Sequence, residues 1–208
     1  MKSTLRNMTL SLGLLVVASG AILAGVKILT EEPIAEANEK ARLEAFTEVL
    51  GGFDNNPAEG VVVLEDGTRV YPATLEGAPA GGAVEISAPQ GFGGPFSLMV
   101  GFDAKGAVTG YRVLEHAETP GLGAKMSTWF ADTLRASRNI IGRYPGGSDG
   151  HTGASQQAAS PHGLAVSKDG GEIDAITGAT ITSRAFLSAV NAAADAFRKV
   201  NEREENKK

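Results

Sequence analysis

The spacing of hydrophobic and polar positions changes several times along the chain, and each change marks an element. Asn7 to Val26 is an uncharged run of 20 residues rich in Leu, Val, Ala and Gly, long enough to span the hydrocarbon core of a bilayer as a helix. Residues 32–50 then read as a second helix, with Ile34, Ala37, Ala41, Ala45 and Val49 near helical spacing, Phe46 and Leu50 alongside, and Gly51-Gly52 as a stop. Val61–Leu64 and Thr68–Leu75 read as short strands around the turn Glu65-Asp66-Gly67, with small-residue loops at Ala78–Gly82 and Gln90–Pro95. Phe96–Phe102 and Ala107–Glu115 flank Asp103-Ala104-Lys105-Gly106 as a hairpin. A loop at 116–123 leads into a predicted helix, Ala124–Ala136, carrying Trp129, Phe130 and Leu134. Residues 138–162 are polar and weakly periodic, which predicts a loop. Leu164–Ser167 and Glu172–Ile176 suggest a second hairpin around Asp169-Gly170-Gly171. Phe186, Val190, Ala193, Phe197 and Val200 form one stripe of a helix over about 181–203.

Antiparallel strands with helices before, between and after them lack the strict strand–helix alternation of a doubly wound sheet, so an α+β fold is expected. There is no internal repeat. The expected organisation is a cytoplasmic N-terminus and transmembrane anchor over 1–30, membrane-embedded through about residues 8–29, followed by one domain over 31–208.

Charge orients the anchor. Residues 1–30 contain Lys2, Arg6 and Lys27 and no acid, whereas the rest of the chain carries 16 basic and 24 acidic residues. Basic residues stay on the cytoplasmic side, so the acidic domain is expected outside the cytoplasm. A cleaved signal peptide is the competing reading, but its apolar region spans only about 7–15 residues, and Lys27 at the far edge suits a snorkelling anchor. Gly20/Ala24 and Ala21/Gly25 place small residues at four-residue spacing, a surface for close packing against another membrane helix. An acidic domain without a basic patch argues against nucleic-acid binding. The chain has no cysteine, which excludes disulfides, thiolate catalysis and Cys-ligated zinc or iron–sulfur clusters. His116, His151 and His162 lack metal-ligand spacing, and no metal is assigned. A redox role would therefore require an organic cofactor.

The chemistry concentrates in Asp174-Ala-Ile-Thr-Gly-Ala-Thr-Ile-Thr-Ser183. Gly178 and Ala179 leave the neighbouring Thr180 hydroxyl unshielded just before the last helix, whose free N–H groups and dipole favour an anion. Thr182 or Ser183 could cap those groups. Alone, a Thr-rich turn there is an ordinary cap.

Two motifs go further. Asp174-x-x-Thr177-Gly178-Ala179-Thr180 resembles the flavinylation motif of the FMN-binding subunits of Rnf and Na+-pumping NADH:quinone oxidoreductase complexes. His116-Ala117-Glu118-Thr119-Pro120-Gly121-Leu122-Gly123 resembles the second signature of the same family. The similarity covers the anchor and most of residues 96–200, while residues 51–95 carry little of it. The resemblance implies FMN joined through its phosphate to Thr180 by a flavin transferase that takes FMN from FAD and releases AMP. Asp174, Thr177, Gly178 and Ala179 would form the recognition turn, and Glu118, Thr119, Gly121 and Leu122 would face the flavin, Leu122 as apolar cover. His116 could bond the flavin or pair with Glu118. Trp129 and Phe130 could stack on a flavin but are more often core at this spacing. No catalytic acid, base or nucleophile is assigned.

The length favours the G subunit of Rnf-type complexes, which implies a bacterial inner-membrane electron carrier among other membrane subunits, passing electrons between ferredoxin and NAD coupled to ion transport. The C subunit of the quinone reductase shares both motifs but is typically longer. An extracytoplasmic interaction module without flavin is the alternative of another class.

Overall fold

The computed structural model describes residues 5–145 and 163–205. His151, His162 and residues 146–162 of the expected loop lie outside the described residues. The chain divides into two compact units, Met1–Arg42 and Leu43–Lys208.

The two N-terminal helices expected from the sequence are one. Helix α1 runs Leu5–Val49 through Pro33: no glycine interrupts 27–32, and the one cap-type residue there, Thr30, turns its hydroxyl back to the Val26 carbonyl of the same helix. It is the one candidate membrane helix among the described residues, by length and composition.

The second unit is built on a five-stranded antiparallel sheet in the simple order β1 (Val62–Val63), β2 (Arg69–Leu75), β3 (Ala78–Ala88), β4 (Phe96–Asp103) and β5 (Val108–Glu115). A short helix α2 spans Met126–Trp129, and α3 spans Thr180–Glu205. Alternation along the strands gives the sheet two apolar faces. Leu98, Val100 and Phe102 of β4 join Val84 and Ile86 of β3 in the core beneath α3, where Phe186, Val190, Ala193, Phe197 and Val200 are all buried. Met99, Tyr71 and Ala83 face the other way, onto Ala45, Phe46 and Val49 at the end of α1. The α+β expectation is met, with helices on both faces.

Strand β3 corrects the reading of Ala78–Gly82 as a loop. Its glycines answer to packing rather than to a turn. A Cβ on Gly82 would lie 2.9 Å from the Phe197 ring and 2.7 Å from the Tyr71 carbonyl oxygen, and one on Gly81 would lie 2.1 Å from the Phe102 oxygen. Gly101 and Gly110 are paired across β4 and β5 for a similar reason. The end of α1 rests on them, and a Cβ on Gly101 would lie 2.1 Å from the Val49 oxygen. The Thr109 hydroxyl donates to that same oxygen, satisfying a carbonyl that the helix end leaves without an intrahelical partner.

The helix expected over Ala124–Ala136 stops after one turn. The Tyr111 hydroxyl donates to the Met126 oxygen (2.8 Å) and accepts the Phe130 N–H (3.1 Å). It thus sits between the two groups that would make the next helical bond. Phe130 turns into the core and stacks on Phe186 at 4.5 Å, whereas Leu134 is 94% exposed and leaves the expected stripe. Burial pushes the Tyr111 phenol well above its ordinary value, against the opposing effect of the Phe130 and Ala131 N–H groups.

The second expected hairpin is also absent. Val166 and Ile173 form a single parallel bridge. The residues between them are taken up by the 3-10 turn Ser167–Asp169, closed by Gly170 in the left-handed region at φ 83°, so the chain returns in the same direction.

Denaturant unfolding of the full chain in detergent measures what these contacts contribute. Gly101→Ala should destabilise the second unit by about 1–3 kcal/mol through overpacking against Val49, and Thr109→Val by about 1 kcal/mol through loss of one hydrogen bond. Tyr111→Phe should cost about 1–3 kcal/mol at neutral pH by leaving two buried backbone groups unbridged. A phenol raised on folding stabilises below its unfolded value and loses that contribution as pH rises, so Tyr111→Phe should also flatten the loss of stability above about pH 10.

Candidate functional site

The tetrad forms a tight turn against the start of α3. The Ala179 N–H donates to the Ile176 oxygen at 2.9 Å, and Gly178 alone in the turn has positive φ, 81°. This is the pattern of a type II turn, which needs glycine at its third position. Thr180 is the first residue of α3 and is half-buried. Ser183, fully buried, fastens the turn from the helix side: its hydroxyl accepts the Ile176 N–H and donates to the Ala179 oxygen, each at 2.9 Å. Ser183 thus serves the turn rather than the free N–H groups of the helix. Thr182 is also fully buried, and its Oγ1 has no hydrogen-bond partner among the described residues.

Asp174 is held from three directions. Its carboxylate accepts the Ser137 hydroxyl at 2.7 Å, its N–H donates to the Ser137 oxygen at 2.6 Å, and its own carbonyl accepts Trp129 Nε1–H at 2.8 Å. These bonds tie the turn to the segment that follows α2, and between them opens a cleft of about 320 Å³. Asp174, Thr177, Gly178 and Thr180 line it together with Trp129, Arg138, Ser167 and Lys168. The Arg138 guanidinium lies 3.7 Å from the centre of the Trp129 ring, a cation–π contact. Arg184 bonds Asp169 through two hydrogen bonds of 2.7 Å, fixing the 3-10 turn that carries Ser167 and Lys168 to α3. The Arg184 hydrogen bonds hold the Asp169 carboxyl below its ordinary value.

The loop after β5 reaches the same place from the other side. Leu122 packs against the turn, its Cδ2 lying 3.2 Å from where a Cβ of Gly178 would sit, and is 43% exposed. Gly121 has φ 78°, and the Thr119 carbonyl accepts the N–H groups of Leu122 and Ala124 at 3.1 and 3.3 Å. Glu118 is buried, with its carboxylate accepting the Gly93 N–H at 3.1 Å. His116 Nδ1 accepts the Glu118 N–H, so its contact is with that backbone and not with the carboxylate.

The structure therefore brings Asp174, Thr177, Gly178 and Thr180 onto one cleft, buries Ala179 beneath the turn and sets Leu122 against it. Glu118 points to the Gly91–Gly94 loop, and Thr119 and Gly121 shape the exposed turn beside it. Sequence reasoning passed over Arg138, Ser167 and Lys168. Arg138 and Lys168 lie in segments without period, and the pairing of each with its neighbours is entirely tertiary. The Gly91–Gly94 loop did carry a signal. A Cβ on Gly93 would lie 2.4 Å from the Ala117 oxygen, so its glycines mark close approach to the 116–123 loop.

Comparison with known proteins gives a consistent answer. The family described as "FMN-binding domain" matches residues 91–195, from the Gly91 loop through most of α3. The chain is 34% identical over 203 residues to the G subunit of the ion-translocating oxidoreductase complex of Aliivibrio fischeri, covering 93% of this chain and 90% of that protein. It is 35% identical over 202 residues to the corresponding protein of Pseudomonas aeruginosa, covering 92% and 87%. It is likewise 35% identical over 203 residues to that of Escherichia coli, covering 93% and 91%. The chain belongs to the FMN-binding domain family, among the G subunits of ion-translocating oxidoreductase complexes.

Proposed function

We propose that this chain is the electron-carrying G subunit of an Rnf-type complex, and that its FMN is joined covalently to Thr180. The observation that carries the reading is the Thr180 hydroxyl itself: it opens α3 at the edge of a cleft whose other wall is set by the triply bonded Asp174. The residues fit the cofactor. Trp129 offers an aromatic surface, Leu122 an apolar one beside the turn, and Arg138 and Lys168 offer positive charge to a phosphate. Bound FMN supplies the redox chemistry that no side chain of a cysteine-free chain provides.

In maturation, Thr180 Oγ bonds to the FMN phosphorus of FAD as the bond from that phosphorus to AMP breaks, and the hydroxyl proton departs with AMP. A flavin transferase performs the exchange on the turn Asp174–Thr180. Gly178 keeps the turn tight, and Ser183 and Asp174 hold it in one shape. In the mature protein Thr180 tethers the cofactor, Thr177, Gly178 and Ala179 shape its attachment, and Leu122 with the Glu118–Gly121 segment borders the ring. Glu118 acts from behind that segment, by fixing the Gly93 loop against it.

In this reading residues 1–30 are the anchor in the bacterial inner membrane with the N-terminus cytoplasmic, and 31–208 form the FMN domain on the periplasmic side. The basic residues before the apolar run and the acids after it support that orientation. The other membrane subunits of the complex are the partners, and the electrons pass between ferredoxin and NAD.

Protein made alongside a flavin transferase should fluoresce under ultraviolet light in a denaturing gel, with an intact mass raised by one FMN less water. Thr180→Val should lose both signals, and retention of either by the variant would exclude this attachment. Gly178→Ala should lower the flavinylated fraction in the same assay, since a left-handed alanine costs about 1–2 kcal/mol and its Cβ would crowd Leu122. Mild detergent extraction should recover the chain with other membrane subunits, and such membranes should oxidise reduced ferredoxin with NAD. Recovery of the chain alone would count against the complex, and oxidation of NADH by quinone instead would favour the C-subunit reading.

A further inference from the structure

Two cations face the cleft at Thr180, and neither has a role in the fold equal to its placement. Arg138 lies flat on Trp129, yet its nearest carboxylate oxygen, on Asp132, is 3.8 Å away, beyond hydrogen-bonding distance. Its Nε is buried without a hydrogen-bond partner among the described residues, which leaves a charged donor unsatisfied at a cost that a ligand could recover. Lys168 lines the same cleft and forms no ion pair among the described residues. It is nonetheless held in position, because the adjacent Asp169 is clamped by Arg184. The one carboxylate of the cleft, Asp174, is engaged by Ser137. The cleft is thus net positive within a chain of formal net charge −5, and its spare donors match phosphate oxygens.

We infer that Arg138 and Lys168 are the phosphate-recognising side of the cleft, so that the protein selects a flavin bearing a 5′-phosphate over one without it even when no covalent bond is present. This rests on the flavin reading of the cleft and goes beyond it. Attachment to Thr180 then secures a group whose phosphate the protein already holds, and the guanidinium gives its edge donors to that phosphate while its face stays over the Trp129 ring.

The test uses the full chain in detergent, produced in cells lacking a flavin transferase and shown by intact mass to be unmodified. FMN and riboflavin are titrated against it by flavin fluorescence. FMN should bind at least about tenfold more tightly than riboflavin, the size of one hydrogen bond between charged groups. Lys168→Gln should reduce that ratio severalfold and Arg138→Gln/Lys168→Gln should bring it near one, the ratio cancelling any loss of ring binding that the two flavins share. Arg138→Lys, which keeps the charge, should retain part of the preference. Equal binding of the two flavins by the parent protein would overturn the proposal while leaving the cleft a flavin site, as would a Lys168→Gln variant with an undiminished ratio. Failure of the parent to bind either flavin would overturn the flavin reading of the cleft, and this inference with it.

Discussion

The hydroxyl of Tyr111 stands where a helical hydrogen bond would otherwise form, and much of the second unit takes its course from that substitution. With the Met126 carbonyl and the Phe130 N–H both turned to the phenol, α2 cannot continue. Phe130 is free to enter the core and stack on Phe186, which also meets the Tyr111 ring at 4.9 Å. The residue before it, Trp129, is left half-buried at the surface of the core, where its indole N–H reaches Asp174. One buried hydroxyl thereby links the sheet, the short helix, α3 and the segment carrying the turn. A continuous helix over 124–136 would instead have carried Ser137 and Arg138 elsewhere, and the cleft at Thr180 would lose a wall.

The site has a division of labour that follows from this arrangement. Backbone and hydroxyl groups make the turn rigid, through Gly178, Ser183 and the Ile176–Ala179 bond, while side chains from three other segments decide what can lie against it. Leu122 comes from the loop after β5, Trp129 and Arg138 from α2 and the segment beyond it, and Lys168 from a 3-10 turn pinned to α3. All of them come from segments distant in sequence from Thr180, and Trp129 and the Lys168 turn are fastened to its neighbourhood through the Asp174 carbonyl and Arg184. The turn at Thr180 and the cleft beside it thus differ in origin: the first is a local conformation, the second a meeting of distant segments.

Glycine illustrates why some elements were legible and others misleading. In the turns at Gly67, Gly106 and Gly178 a positive φ requires it, and the sequence pattern identified each turn correctly. In Gly82, Gly101 and Gly110 the same residue marks a place where another element comes within contact distance of a strand; around Gly101 and Gly110 the alternation still reads as strand, whereas the small residues of Ala78–Gly82 read as a loop. Strand β3 was missed for that reason. The expected hairpin at 164–176 failed differently: two short apolar runs around Asp-Gly-Gly satisfy the antiparallel pattern, yet the turn geometry at Gly170 returns the chain in parallel.

What the sequence determined by itself was whatever depends on near neighbours: the apolar length of α1, the β4–β5 hairpin, the buried stripe of α3, and the turn that presents Thr180. These follow from side-chain period and from the backbone angles that individual residues allow, and both act over a few residues. Tertiary structure alone decided where α2 ends, that Ala78–Gly82 belongs to the centre of the sheet, that Glu118 faces inward to Gly93, and that Arg138 and Lys168 meet beside Thr180. Each is set by a contact between segments tens of residues apart, made possible by a missing Cβ or a single well-placed hydroxyl, and no local pattern in the chain encodes such a meeting.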